Sequence, residues 1–162
     1  MAVTTDLPTL SAPIQVGQTA PDFTLMTQAR DEWTLSDALE KGDVALCFYP
    51  MDFSPVCSTE MKCVADEFGN WSGKGVQVVG VSCDSFFTHE AWAKELGLQQ
   101  TLLADMHRAV SKAYGFYWAD LNIASRGTVL ITKGDGGPTV KWVQARDIPN
   151  AMNFEDLLAQ IS

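Results

Sequence analysis

The stretch VALCFYPMDFSPVC, residues 44 to 57, decides how the rest of the chain is read. Val44 to Tyr49 form an unbroken apolar run of strand length, the pattern of a strand buried on both faces. Pro50 stops that run and Pro55 restricts the loop that follows, so the chain enters the next element with little residual freedom. Residues 57 to 71 read as a helix, with Met61, Val64, Ala65 and Phe68 at helical spacing and Gly69, Asn70 and Gly73 ending the pattern. Cys57 therefore stands in the first turn of a helix that follows a central strand. The unpaired N–H groups and the dipole of such a turn favour a thiolate, which is the reactive form of cysteine. Ser54 has two readings: its hydroxyl can cap the turn, or donate to an oxygen held beside the sulfur. Position alone also allows a plainer account, a buried and inert cysteine that happens to begin a helix.

Outward from this stretch, PDFTLM (21 to 26) and EWTL (32 to 35) read as a short strand pair. Ser36 is placed to cap a short helix in SDALEKG. GVQVVGVS (75 to 82) is a second buried strand, and residues 85 to 96 a helix capped by Ser85. TLLAD is a short strand, and 107 to 114 a short helix. RGTVLITK (126 to 133) and PTVKWVQA (138 to 145) flank GDGG as a hairpin, and NFEDLLAQI closes with a helix capped by Asn153. Strands alternating with helices, then a hairpin and a helix, predict an α/β domain with a mixed central sheet. The expected division is a flexible or edge-lying extension over residues 1–14 and one domain over 15–162.

Hydrophobic residues make up 46% of the 162-residue chain, enough for a single core, and the net charge of −9 argues against a nucleic-acid partner. No apolar stretch reaches membrane-spanning length and no secretory leader pattern opens the chain, so a cytoplasmic location is expected. No glycine-rich phosphate loop follows a strand, and no cofactor is expected. Cys47, Cys57, Cys63 and Cys83 are separated by ten, six and twenty positions, without a CxxC pair or metal-ligand spacing to His89 or His107, so no metal is expected. Of the remaining polar residues, His89 reads as a helix-surface or dimer-contact residue, and Asp105 and Asp120 as solvated loop positions.

PMDFSPVCSTE resembles the active-site loop of the peroxiredoxins, P-x-x-x-(T/S)-x-x-C, here Pro50, Ser54 and Cys57. VGQTAPDFTL, GVQVVGVSCDSFFTHEAW and ASRGTVLITK resemble further parts of that family, over roughly residues 15 to 161. The nearest groups are the alkyl-hydroperoxide-reductase E-like and one-cysteine members. The resemblance implies a thioredoxin-like fold with extra N-terminal strands, reduction of hydrogen peroxide or organic hydroperoxides at Cys57 through a sulfenic acid, and an active-site arginine at Arg126. Pro50 would shield the sulfur. Glu60 either orients the arginine network or simply complements the helix dipole. Arg146, in QARDIP, resembles a second arginine that the family often carries. The implied partners are a peroxide, thioredoxin or another thiol reductant, and a second copy in a homodimer to which exposed Phe53, Phe86 or Trp118 contribute.

Regeneration of Cys57 is left open. No Val-Cys-Pro resolving segment appears within the 162 residues. Cys63 follows Cys57 by six residues, about 600° of turn and about 9 Å of rise along a helix, which is beyond disulfide reach without unwinding. Cys83 ends a strand that the resemblance brings near the start of the Cys57 helix, so it is the other possible resolver, with an external thiol the remaining route. Cys47 reads as structural. Two further functions compete: a thioredoxin-fold redox sensor, binding or chaperone protein without peroxidase turnover, and a cysteine hydrolase, which needs a histidine base beside Cys57.

Overall fold

A computed structural model describes residues 2–161. In chain order the elements are β1 (Thr24–Thr27), β2 (Glu32–Thr34), α1 (Leu35–Leu39), β3 (Asp43–Phe48), α2 (Pro55–Asp66), α3 (Phe68–Ser72), β4 (Val76–Ser82) and α4 (Phe86–Leu96). They continue with β5 (Leu102–Ala104), α5 (Ala109–Ala113), β6 (Tyr117–Trp118), β7 (Ile123–Ala124), β8 (Arg126–Thr132), β9 (Thr139–Arg146) and α6 (Phe154–Leu158). A seven-stranded sheet runs in the order β2-β1-β5-β4-β3-β8-β9. β3, β4 and β5 are parallel, and β8 and β9 join antiparallel beside β3. The α/β class with a mixed sheet is thus as the sequence pattern predicts.

Strand alternation divides the core into two layers. Val44, Leu46 and Phe48 of β3, with Val79 and Val81 of β4, pack under α1 and α5. Ala45, Cys47 and Tyr49, with Val78, pack under α2 and α4. Both faces are covered, which is why VALCFY has no polar residue in it.

Several local expectations change. The helix after the loop begins at Pro55 as N1, and breaks at Glu67 into α2 and α3. The Trp71 indole N–H donates to the Val64 carbonyl at 2.9 Å, taking the acceptor that a continuous helix would offer to Phe68. Ser36 does not cap α1. The helix follows Thr34, and the Asp22 carboxylate instead accepts the Ser36 amide at 2.9 Å and its hydroxyl at 2.8 Å. Ser85 and Asn153 do cap α4 and α6. The β6–β7 hairpin, turned at Asn122 with φ 55°, is too short for a periodicity to declare it. Residues 2–14 run along the domain, with Thr4, Leu10 and Ile14 donating backbone hydrogen bonds to Thr24, Lys112 and Tyr114. No helix among the described residues is long and apolar enough to cross a membrane.

Gly127 is the tightest point of β8. A Cβ there would fall inside the Phe116 ring, which stacks on Phe48 at 5.1 Å between centroids. Gly127→Ala is expected to cost about 1–3 kcal/mol by overpacking, read as a lowered urea midpoint with an unchanged slope.

Candidate active site

Cys57 sits in the first turn of α2, fully buried, where Pro55 and the loop from β3 deliver it. The Arg126 guanidinium, at the start of β8, donates from Nη2 to the Cys57 sulfur at 3.1 Å. Its Nε donates to the Ile148 carbonyl at 2.8 Å, and its Nη1 to Glu60 Oε1 at 3.1 Å. Arg126 lies directly opposite Arg146 in the β8–β9 pair. Like charges in that position repel, and Glu60, reaching in from α2, stands between them. Its Oε2 accepts from Arg146 Nη2 at 3.2 Å and from the Met152 amide at 2.6 Å. Arg146 is further held by Thr128 Oγ1 at 3.1 Å and Gln144 Oε1 at 2.9 Å.

This cluster has a charge balance. Arg126, Arg146 and Glu60 are nearly wholly removed from solvent. Two guanidinium cations and one carboxylate leave a net positive charge beside the Cys57 sulfur. Glu60 is therefore the bridge between the two arginines, rather than a surface acid complementing the helix dipole. Arg146 takes part through Glu60 and does not touch the sulfur.

A cavity of about 370 Å³ opens over Arg126, lined by Pro50, Ser54, Val56, Trp118, Leu121 and Ile148 among others. Ser54 is the N-cap of α2 by backbone only: its carbonyl accepts from the Ser58 amide at 2.9 Å, and its hydroxyl makes no cap bond. That leaves the hydroxyl available to the cavity. Pro50 is buried in the cavity wall.

The other thiols differ. Cys47 faces Thr128 and Met152 in the α2-side core, and burial followed by the Glu60 charge pushes its pKa up to about 12. Cys83 continues the alternation of Val79 and Val81, so it points to the α5 layer, 3.9 Å from Ser111 Oγ. The end of β4 does lie beside the loop that leads to Cys57, where the Asp52 amide donates to Asp84 Oδ2 at 3.0 Å, but the Cys83 thiol turns toward Ser111 of α5. Burial and then Asp105 raise it to about 11. Cys63 is half-buried on α2 beside Met152 and Phe154 of the α6 segment. Its thiol is also raised, by burial first and then by Glu67, Asp66 and Glu60.

Two polar residues depart from expectation. His89 is buried, not on the helix surface, because the inner face of α4 carries it onto Asp52 and β5. Asp105 is buried, not solvated: its carboxylate accepts the Val110 and Ser111 amides of α5 at 3.2 and 2.7 Å. Neither histidine serves as a base for Cys57. His89 is engaged elsewhere, and His107 lines a separate apolar cavity with Phe86 and Met106. Thr128, the Ile148 carbonyl and the Met152 amide were not legible as site residues, since they act through folded position alone.

A family model described as AhpC/TSA matches residues 16–135. Peroxiredoxin-2 of Mus musculus is 37% identical over 158 residues, covering 91% of this chain and 78% of its own length. The chloroplastic 2-cysteine peroxiredoxin of Chattonella marina var. antiqua is 38% identical over 130 residues, 74% of this chain and 66% of its own. Among solved structures, reduced 2-Cys peroxiredoxin of Plasmodium vivax superposes with a TM-score of 0.81 at 29% identity, covering 92% of this chain and 81% of its own. Peroxidoxin BcpB of Mycobacterium tuberculosis superposes with a TM-score of 0.80 at 25% identity, covering 91% and 96%.

Two outcomes follow from this geometry. Glu60→Gln keeps the shape and removes the bridging charge, and is expected to cost about 3–5 kcal/mol, measured by denaturant unfolding. The raised Cys47 thiol makes stability fall with alkalinity: the folded chain keeps a proton that the unfolded chain releases from near pH 9. From there toward pH 12 each such thiol contributes a loss of about 1.4 kcal/mol per pH unit. Cys47→Ala is expected to flatten the decline of the urea midpoint between pH 9 and 11.

Proposed function

Since the chain belongs to the AhpC/TSA family, and is a peroxiredoxin of thioredoxin-like fold with thiol-dependent peroxidase activity, we propose that Cys57 is the sulfur that attacks the peroxide. The Arg126 Nη2 to Cys57 Sγ contact of 3.1 Å carries this reading. A guanidinium stays protonated at any working pH, so it remains a donor through the reaction.

In the first half-reaction the Cys57 thiolate attacks the terminal oxygen of ROOH in line with the O–O bond. An S–O bond forms, the O–O bond breaks, and the alkoxide RO⁻ leaves and takes a proton to become ROH. Sulfur is oxidised by two electrons to a sulfenic acid, and the peroxide is reduced by the same two. Arg126 first holds the thiolate and then meets the charge that develops on the separating oxygens. The Ser54 hydroxyl and the amides of the first turn of α2 are the further donors. Glu60 and Arg146 orient Arg126. Pro50 covers the sulfur and limits entry of water.

In the second half-reaction an external thiol displaces water from the sulfenic acid to give a mixed disulfide. A second thiol then restores Cys57 and leaves with the first as a disulfide. The placement of Cys83 across the sheet, and of Cys63 six residues along α2, supports an outside reductant, thioredoxin or another thiol, over an internal resolver. The apolar lining of the cavity supports entry of organic hydroperoxides besides hydrogen peroxide. Exposed Met51 and Leu121 in its lining, with exposed Phe53 on the same loop as Met51, support a homodimer that covers this face. A sensor without turnover finds less support, because a guanidinium held by Glu60 and the Ile148 carbonyl donates directly to the sulfur.

The test gives reduced protein one equivalent of peroxide with a sulfenic-acid trap and maps each cysteine by mass spectrometry. The trap is expected on Cys57. Cys57→Ser is expected to abolish peroxide loss, and Arg126→Gln to lower its second-order rate by about 10²–10³-fold. A free Cys57 in a sample that has consumed peroxide would sink the assignment.

A further inference from the structure

We propose that His89 is a positioning residue for the peroxidase reaction: with Asp52 it clamps the loop that delivers Cys57, and α4 thereby grips both flanks of the reactive sulfur. The inference rests on the assignment of Cys57 above.

The loop between β3 and α2 has little backbone support of its own. The Tyr49 amide donates to the Val81 carbonyl at 3.0 Å, and the Asp52 amide to Asp84 Oδ2 at 3.0 Å. Phe53, half-exposed, adopts φ 66°, a left-handed conformation unfavourable to a residue with a bulky side chain. Something must hold the loop in that state, and the Asp52 side chain is placed to do it. Its carboxylate is shut off from solvent, accepts from the Tyr49 hydroxyl at 2.7 Å, and meets His89 Nδ1 at 2.6 Å. On the far side of the ring, His89 Nε2 lies 3.1 Å from the Leu103 carbonyl in the middle of β5.

The proton count of this pair is set by its partners. Leu103 offers only an acceptor, so Nε2 must carry hydrogen. One further proton must lie between Nδ1 and Asp52 Oδ2, whichever atom holds it, because two lone pairs facing at that distance would repel. Both ring nitrogens are thus engaged. Asp52, Asp84 and His89 lie close enough to hold an ion, but their atoms are spent on one another, on Ser82 and on the backbone. The arrangement is a clamp that ties the loop to a sheet strand.

The second flank is held from the same helix. Trp92, one turn beyond His89 in α4, donates from Nε1 to the hydroxyl of Ser58 at 3.3 Å, next to Cys57. Its ring also packs against Tyr49 at 5.4 Å and Phe53 at 6.4 Å between centroids. Residues before and after Cys57 are therefore tied to α4 by side chains whose hydrogen bonds go to neither the sulfur nor Arg126. Loosening the His89 side should misalign Cys57 beneath Arg126 and slow the attack on peroxide. It should also let the sulfenic acid leave its enclosure. There an external thiol converts it to a mixed disulfide and water, in competition with a second ROOH that gives sulfinate and ROH.

The experiment uses the full chain as wild type, His89→Gln, Asp52→Asn, the double variant, and Val140→Ala. Val140 lies in the opposite core layer, so its variant controls for lost stability alone. Two quantities are read: the second-order rate of Cys57 oxidation by hydrogen peroxide, and the sulfinate-to-disulfide ratio when dithiothreitol competes with excess peroxide. His89→Gln and Asp52→Asn are each expected to lower the rate tenfold or more and to shift the ratio severalfold toward disulfide. The double variant should be no worse than the poorer single one, and Val140→Ala should move neither reading. A His89→Gln rate within twofold of wild type overturns the proposal, as do single effects that multiply in the double variant, or a Val140→Ala protein that reproduces both changes. Should His89→Gln fail to fold, the Asp52→Asn rate decides by the same twofold threshold. A wild-type chain whose Cys57 does not oxidise refutes instead the assignment on which the clamp depends.

Discussion

The Glu60 carboxylate is the interaction on which the site depends. It is fully buried, and it receives two guanidinium groups and a backbone amide. Without it, Arg126 and Arg146 would face each other across the β8–β9 ladder with no counter-charge. A buried ion network gains little stability over an apolar core of the same shape, but it is costly to break. Here it also fixes one side of the guanidinium that touches Cys57. The same three charges join α2 to the sheet.

The second constraint is the division of the core by the sheet. Alternation along β3 sends Cys47 and Tyr49 toward α2 and Val44, Leu46 and Phe48 toward α5. The reactive loop leaves the end of β3, so its supports come from both neighbours: β4 through Val81 and Asp84, and α4 through His89 and Trp92. The arginines arrive from strands on the other side of β3. Groups far apart in the chain meet at one sulfur because β3 lies between β4 and β8.

Much of this is legible in the sequence where a local pattern carries it. The buried strand in VALCFY, the proline-led helix entry, the Ser85 and Asn153 caps and the hairpin around GDGG are written in short windows. Cys57 and Arg126 stand out through such windows together with the family resemblance. The rest depends on tertiary placement. Asp52 and His89 lie 37 residues apart, and nothing local distinguishes a histidine on a helix's inner face from one on its surface. Asp105 resembles any loop acid until α5 folds onto it. The face on which Cys83 lies depends on strand parity, and the parity of β4 is set by its pairing with β3. The break between α2 and α3 depends on one indole that reaches back to a carbonyl.

The raised thiol of Cys47 gives the chain a record of its own opening. Cys47 keeps its proton far into the alkaline range and has no exposed surface, so reagents that capture thiolates find almost nothing to capture while the sheet is closed. Once the two core layers part, that thiol becomes an ordinary one. A chemical mark left on Cys47 therefore dates from an opening of the whole domain.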